Sequence, residues 1–241
     1  MILILLAETD KLHILINNLG GLYNDRWETD DGCEATLAMN LLGPFTLTEA
    51  LLPALRSSAP ARIINVASQG YSMWKGDPFA DIQTTQSYIG GNAYARSKLL
   101  NILWTFALAR RLEGAGVVAN AIHPGTAWTA QTQSSEARIF PPGMWPFWPL
   151  LRLFQRSGSP EKAARTSIYL ASAPEGANFT GQYFESSTRP KKLPAELIDP
   201  TNQDRTWELA EALVRRALTV VPVPGERIKI LNITQNKEKQ R

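Results

Sequence analysis

Tyr94 and Lys98 stand four residues apart in the run Tyr94-Ala-Arg-Ser-Lys98, within a stretch whose apolar residues recur at helical spacing. Residues at i and i+4 share one face of a helix. A lysine ammonium one turn from a phenol favours the phenolate, which predicts a Tyr94 pKa below the usual value of roughly 10. A tyrosine tuned in this way exchanges a proton near neutral pH. Ser68 follows an apolar run and offers a hydroxyl to a substrate oxygen. The bland alternatives are a solvated Tyr–Lys pair on a helix surface and a serine that caps a strand end.

Three short runs would position these groups. They are 12–17 (LHILIN), 62–67 (RIINVA) and 117–123 (VVANAIH), each almost continuously apolar, as strands buried on both faces are. Between them, 31–56 and 92–113 carry apolar residues at helical spacing. Pro44 is expected to break or kink the first of these helices, and Gly114 and Gly116 to stop the second. Strand–helix alternation of this kind gives a parallel sheet with right-handed crossovers. Ligands of such sheets bind beyond the carboxyl ends of the strands. The residues that follow the three strands therefore face one rim: Asn17-Asn18-Leu19-Gly20, then Ser68, then Pro124-Gly125. Asn17 and Asn18 are also ordinary turn residues. His13 and His123 read as core or strand-end residues.

Later segments are less regular. A helix is expected over 159–171, with Ser159 as N-cap and Pro160 and Glu161 in its first turn. A final strand is expected over 181–185, and a last helix over 207–217. Residues 1–219 read as one domain and 220–241 as a mobile C-terminal extension.

Composition narrows the function classes. The chain has 241 residues, 44% hydrophobic and 20% charged, with a formal net charge of +3. It lacks a basic stripe interleaved with aromatics, which argues against a nucleic-acid partner. One cysteine (Cys33) and two histidines exclude an internal disulfide and make a zinc site an unfavoured reading. The apolar start 1–7 is too short for a membrane span and lacks the features of a secretory signal. A cytoplasmic location is expected. The Pro- and Trp-rich segment 141–154, from Pro141 to Phe154, reads as a loop over the core, a lid over a lipophilic substrate, or a patch that touches a membrane surface.

Tyr94-x-x-x-Lys98 with Ser68 upstream, the Asn17-Asn18-Leu19-Gly20 turn, Asn40 in Met39-Asn40-Leu-Leu-Gly43, and Pro124-Gly125-x-x-x-Thr129 occur in one order. Together they resemble the short-chain dehydrogenase/reductase family, and within it the retinol dehydrogenase-like branch, which shares the long interval between Ser68 and Tyr94. The resemblance implies an α/β, Rossmann-like parallel sheet with flanking helices. It implies an NAD(P)-dependent oxidoreductase that interconverts a lipophilic alcohol and its carbonyl compound, with NADP slightly favoured over NAD, and it leaves a homo-oligomer open. Tyr94 would be the general acid/base, Lys98 would tune Tyr94 and hold the nicotinamide ribose, Ser68 would orient the substrate oxygen, and Asn40 would brace Lys98 and a proton-relay water. Asn17, Asn18 and Gly20 would flank the cofactor ribose, and Pro124, Gly125 and Thr129 the nicotinamide.

Two departures from the pattern stand out. Leu19 replaces the family's alanine and is expected to crowd the cofactor or repack the turn. The family's opening Gly-rich phosphate loop and its first strands have no counterpart in this sequence, so the fold is expected to be N-terminally truncated, with about four strands retained and an apolar edge on the first run that Met1–Leu6 covers only in part. A non-catalytic remnant of such an enzyme is the alternative. A serine hydrolase is a third reading, built on Val66-Ala-Ser68-Gln-Gly70 and His123. It lacks the glycine that a nucleophile elbow places where Val66 stands.

Overall fold

The structure is a computed structural model that describes residues 11–220. It contains a four-stranded, wholly parallel sheet in sequential order: β1 (Ile14–Asn17), β2 (Ala61–Val66), β3 (Val117–His123) and β4 (Tyr183–Glu185). The expected Rossmann-like α/β arrangement is present. Two long helices, α1 (Ala35–Ser57) and α2 (Gly90–Arg111), carry the chain between the first three strands. Three more cross between β3 and β4: α3 (Ala130–Ser134), α4 (Trp148–Arg156) and α5 (Pro160–Ser172). The last, α6 (Pro200–Val220), returns to pack against α2.

The sheet has two dressed faces. Leu15, Ile63, Ala119, Ala121 and Tyr183 share a core with α1, α2 and α6, whereas Ile64, Val66, Ile122 and Phe184 pack on the other side with Leu170 of α5. Arg62 ties α5 to the sheet by donating to the carbonyls of Leu170 and Ala173 near that helix's C-terminal end, where a cation is favoured. α1 is long and apolar enough to cross a membrane by length and composition, but most of it is buried in this core.

Several boundaries differ from the sequence reading for identifiable reasons. β1 starts at Ile14 because the Leu12 amide donates to Ser58 Oγ (2.8 Å) instead of joining the ladder. α1 starts at Ala35 because the buried Glu34 carboxylate caps it, accepting from the amides of Thr36 and Leu37. Pro44 neither breaks nor ends α1. The helix widens into a π turn over Ala38–Leu42 just before Pro44 and then continues. The helix around Tyr94 begins two residues early, at Gly90, and α6 reaches well beyond 207–217 in both directions. Residues 159–171 and 181–185 form the expected helix and, over its last three residues, the expected strand.

β1 is the sheet's edge among the described residues, and its side chains Ile14 and Ile16 are 42% and 41% exposed. The segment Met1–Leu6, expected to cover part of that edge, and the extension beyond Val220 lie outside the described residues.

Candidate active site

The carboxyl ends of β1, β2 and β3 converge on one rim. Ser68, two residues beyond β2, caps a 3-10 turn (Gln69–Met73), and its Oγ accepts from the Gly70 amide at 3.0 Å. The same hydroxyl lies within interaction range of the Tyr94 phenol. Gly70 eases this approach, since a Cβ there would sit 3.2 Å from both Ser68 Oγ and Tyr94 Cε1, closer than an ordinary contact. Ser68 and Tyr94 are thus brought together, as the spacing implied.

Lys98 lies one turn along α2 and is 3% exposed. Its Nζ donates to the carbonyl of Val66 at 2.8 Å and stands 5.8 Å from the centre of the Tyr94 ring. Burial pulls the Lys98 pKa down to about 8. The sequence predicted a depressed Tyr94 pKa, and here the structure corrects it. Burial raises the Tyr94 pKa, and only the Ser68 hydroxyl opposes that shift. The ammonium has turned toward the Val66 carbonyl rather than the phenol, so Tyr94 is a proton-bearing acid in this state.

Asn40 sits in the π turn with its side chain fully used. Its Oδ1 accepts from the Gly21 amide (2.8 Å), and its Nδ2 donates to the Gly21 carbonyl (2.8 Å) and to Ser97 Oγ (2.9 Å). This clamp holds the Gly20-Gly21 turn against Lys98. A Cβ on Gly20 would lie 3.0 Å from Lys98 Nζ and 3.1 Å from Asn40 Oδ1. Asn40, Gly20, Lys98 and Tyr94 therefore form one contiguous group.

The family model described as short chain dehydrogenase matches residues 4–139. This chain belongs to the short-chain dehydrogenase family. It is 38% identical to retinol dehydrogenase 14 of Homo sapiens over 213 residues, covering 87% of this chain and 61% of that protein. It is likewise 38% identical to retinol dehydrogenase 13 of Homo sapiens over 215 residues, covering 87% and 62%. The chain thus spans about three fifths of the length of these curated relatives. Among solved structures, an uncharacterised protein from Mycobacterium paratuberculosis superposes with a TM-score of 0.63 at 24% identity, covering 89% of this chain and 71% of that one. The Pseudomonas aeruginosa RhlG/NADP active-site complex superposes with a TM-score of 0.56 at 26% identity, covering 76% and 68%.

The remaining residues expected at this short-chain dehydrogenase site are placed unevenly. Asn17 is buried, and its amide faces the core, donating to Thr48 Oγ1 (2.9 Å) and Asn65 Oδ1 (2.7 Å), so only its backbone is left for the rim. Asn18 is exposed beside it. Leu19 is also exposed. Gly125 has φ +95°, and a Cβ there would meet Ser186 Oγ at 2.8 Å, which explains the Pro124-Gly125 pair sterically. Thr129 caps α3, its hydroxyl accepting from the Thr132 amide. The hydrolase constellation is absent among the described residues. Ser68 bonds Gly70, while His123 Nδ1 is buried without a hydrogen-bond partner.

The sequence reading missed a polar stripe inside α2. Ser97, Asn101 and Thr105 recur every four residues and are all buried, facing Asn40 and Asn65. Polar residues at one helical spacing within an apolar helix were the available signal. Arg96 was missed too. It is buried, donates to the carbonyls of Ala80, Asp81 and Ile82 and to the Thr84 hydroxyl, and stacks on Trp74, which orders the long loop between Ser68 and Tyr94. A cavity of about 830 Å³ opens at the amino-terminal ends of the strands, beside Pro60 and Gly116. It lies opposite the rim that carries Tyr94.

Proposed function

We propose that this chain carries the proton-transfer half of an NAD(P)-dependent oxidoreductase that interconverts a lipophilic alcohol and its carbonyl compound. The observation that carries the reading is the buried Lys98 ammonium. It has three N–H donors, and among the described residues one of them is committed, to Val66. An almost fully buried cation with two donors not taken up by the described residues fits the vicinal hydroxyls of a nicotinamide ribose.

Tyr94 acts on the substrate oxygen. As a neutral phenol it donates a proton to the oxygen of a carbonyl substrate, and in the reverse direction it takes the proton of an alcohol. Ser68 donates a hydrogen bond to the same oxygen and orients it. Lys98 stabilises the tyrosinate that forms after proton donation, and Asn40 keeps the Gly20-Gly21 turn and Lys98 in register. Asn17, Asn18, Pro124, Gly125 and Thr129 would flank the cofactor, Asn17 and Gly125 through their main chain. The nicotinamide, when bound, supplies or accepts the hydride.

NADP is favoured over NAD because a structural neighbour is an NADP complex. The lipophilic substrate is supported by relatives named retinol dehydrogenases and by the segment after β3. That segment forms a 3-10 turn (Pro142–Phe147) leading into α4 and leaves Trp145, Phe147, Leu150 and Leu153 exposed. Arg152 anchors it from beneath, donating to the carbonyls of Thr132, Gln133 and Ser135 and stacking on Trp128 and Trp148. We read it as a substrate lid. A membrane surface is the other apolar phase it fits, and liposome flotation separates the two.

A non-catalytic remnant is the second reading. Gly20-Gly21 does not open a helix, and Gly90-Gly91, which does, is closed off by the carbonyls of Tyr23 and Ile139. No pyrophosphate cradle of the helix N-terminus type is thus built from glycines among the described residues. Titration of the chain with NADPH and with NADH, followed by cofactor fluorescence, decides between the readings. Saturable binding and Tyr94-dependent reduction of a lipophilic aldehyde support the enzyme; a folded chain that binds neither nucleotide is the remnant.

A further inference from the structure

Asn101 is a polar residue in an almost fully buried place. It lies on the inner side of α2 at 2% exposure, among Leu100, Ile102, Leu103 and Trp104, all of them buried at least as deeply. A buried amide is costly unless both its ends are bonded. Asn101 Oδ1 has no hydrogen-bond partner among the described residues, whereas Nδ2 donates to the backbone carbonyl of Asn40 at 2.9 Å. The amide cannot be turned over, because Oδ1 would then face that carbonyl, lone pair against lone pair.

The Asn40 carbonyl needs an outside donor for a reason written in the sequence. In a regular helix it would accept from the amide of residue 44. Residue 44 is proline and has no N–H. The turn instead widens, with the Gly43 amide reaching back to Ala38. Asn101 fills the gap that Pro44 leaves. It is itself held from behind: Thr105 Oγ1 donates to the Asn101 carbonyl (2.7 Å), Asn65 Nδ2 to Thr105 Oγ1 (2.9 Å), and Asn17 Nδ2 to Asn65 Oδ1 (2.7 Å).

We propose that Asn101 is a positioning residue that fixes the π turn at Asn40, and through the Asn40 side chain the Gly20-Gly21 turn that faces Lys98. The positioning of Gly21 stands on the structure alone; its effect on turnover rests on the oxidoreductase reading above.

The test compares Asn101→Leu, which keeps the volume and loses the donor, with Asn101→Asp, which keeps the shape and loses the donor. Thr105→Val, one step further from Asn40, serves as a structural control. Circular dichroism and thermal melting establish folding. Amide hydrogen exchange at Gly21 is then read by NMR on the chain without ligand. We expect Gly21 to exchange at least tenfold faster in a folded Asn101 variant and by less than threefold in Thr105→Val. With NADPH and a lipophilic aldehyde, kcat is expected to fall at least tenfold.

Unchanged Gly21 exchange in a folded Asn101 variant overturns the proposal, and so does unfolding of both variants, which would make Asn101 purely structural. Absence of turnover in the unaltered chain overturns the oxidoreductase reading instead, and the Gly21 exchange rates still decide the role of Asn101.

Discussion

Lys98 donates its ammonium to the carbonyl of Val66, the last residue of β2, 2.8 Å away. One backbone carbonyl is thin compensation for a charge buried this deeply, and the pKa of about 8 expresses the shortfall. The unfolded chain, with a lysine pKa near 10.5, holds more protons than the folded one between these values. Stability should therefore rise as pH is raised from about 8 to 10, by up to roughly 3 kcal/mol. Above pH 10 the raised Tyr94 pKa works in the opposite direction. Chemical denaturation at pH 7.5, 9 and 10 reads the slope, which Lys98→Met should abolish. A flat profile in the unaltered chain would show that the ammonium is not buried.

Tyr94→Phe removes the proton donor and keeps the ring. Turnover of an aldehyde should fall by about 10²–10⁴-fold, with the melting temperature and NADPH affinity nearly unchanged. Ser68→Ala should lower kcat as well, and it also strips the Gly70 amide of its acceptor. Residual activity in Tyr94→Phe equal to that of the unaltered chain would assign the proton to another group.

Gly90→Ala places a methyl group 2.1 Å from the Tyr23 carbonyl oxygen. Backbone must move to admit it, and a loss of about 1–3 kcal/mol is expected from overpacking. Gly143→Ala is the matched control, since an added Cβ there meets nothing within 4 Å. Urea denaturation of the two variants should separate them clearly, and equal midpoints would contradict the close packing of Gly90 on Tyr23.

Leu150→Ser combined with Leu153→Ser alters two side chains that are 66% and 65% exposed. Stability should stay within about 0.5 kcal/mol of the parent for each surface change. If α4 covers a lipophilic substrate, the KM for a long-chain aldehyde rises while that for a short, soluble one does not. Equal effects on both substrates would remove α4 from substrate recognition.

The strands and the rim were legible in the sequence because their signals are local. β3 matches its apolar run residue for residue, and Ser68, Tyr94 and Lys98 meet as strand polarity and the i, i+4 rule require. What escaped were the features decided by tertiary contacts. The Tyr94 pKa goes up because burial outweighs the Ser68 hydroxyl, while Lys98 is bonded to the Val66 carbonyl, a partner 32 residues away that helical spacing does not reveal. α2 was read as having one apolar face, yet it is buried nearly all round, so Ser97, Asn101 and Thr105 are interior groups rather than solvated ones. The missing N–H of Pro44 predicts a break or a kink when weighed within α1 alone, while the compensating donor comes from Asn101, in a different helix. Asn17 was assigned to the rim, but its side chain turns inward to Asn65.

Every strand pairing in the sheet is parallel, and that has a kinetic consequence. Among the described residues no two of its four strands are joined as a hairpin that could nucleate it. The bond from Asn17 to Asn65 closes a separation of 48 residues, and the one between Gln182 and Asn120 closes 62. Each such closure costs chain entropy before any ladder bond repays it. The described fold is thus one of high contact order, expected to assemble slowly, with α1 and α2 formed early and waiting for strands. Until β2 arrives, β1 lacks its one strand partner among the described residues, and its two outward isoleucines are then exposed to those of another chain.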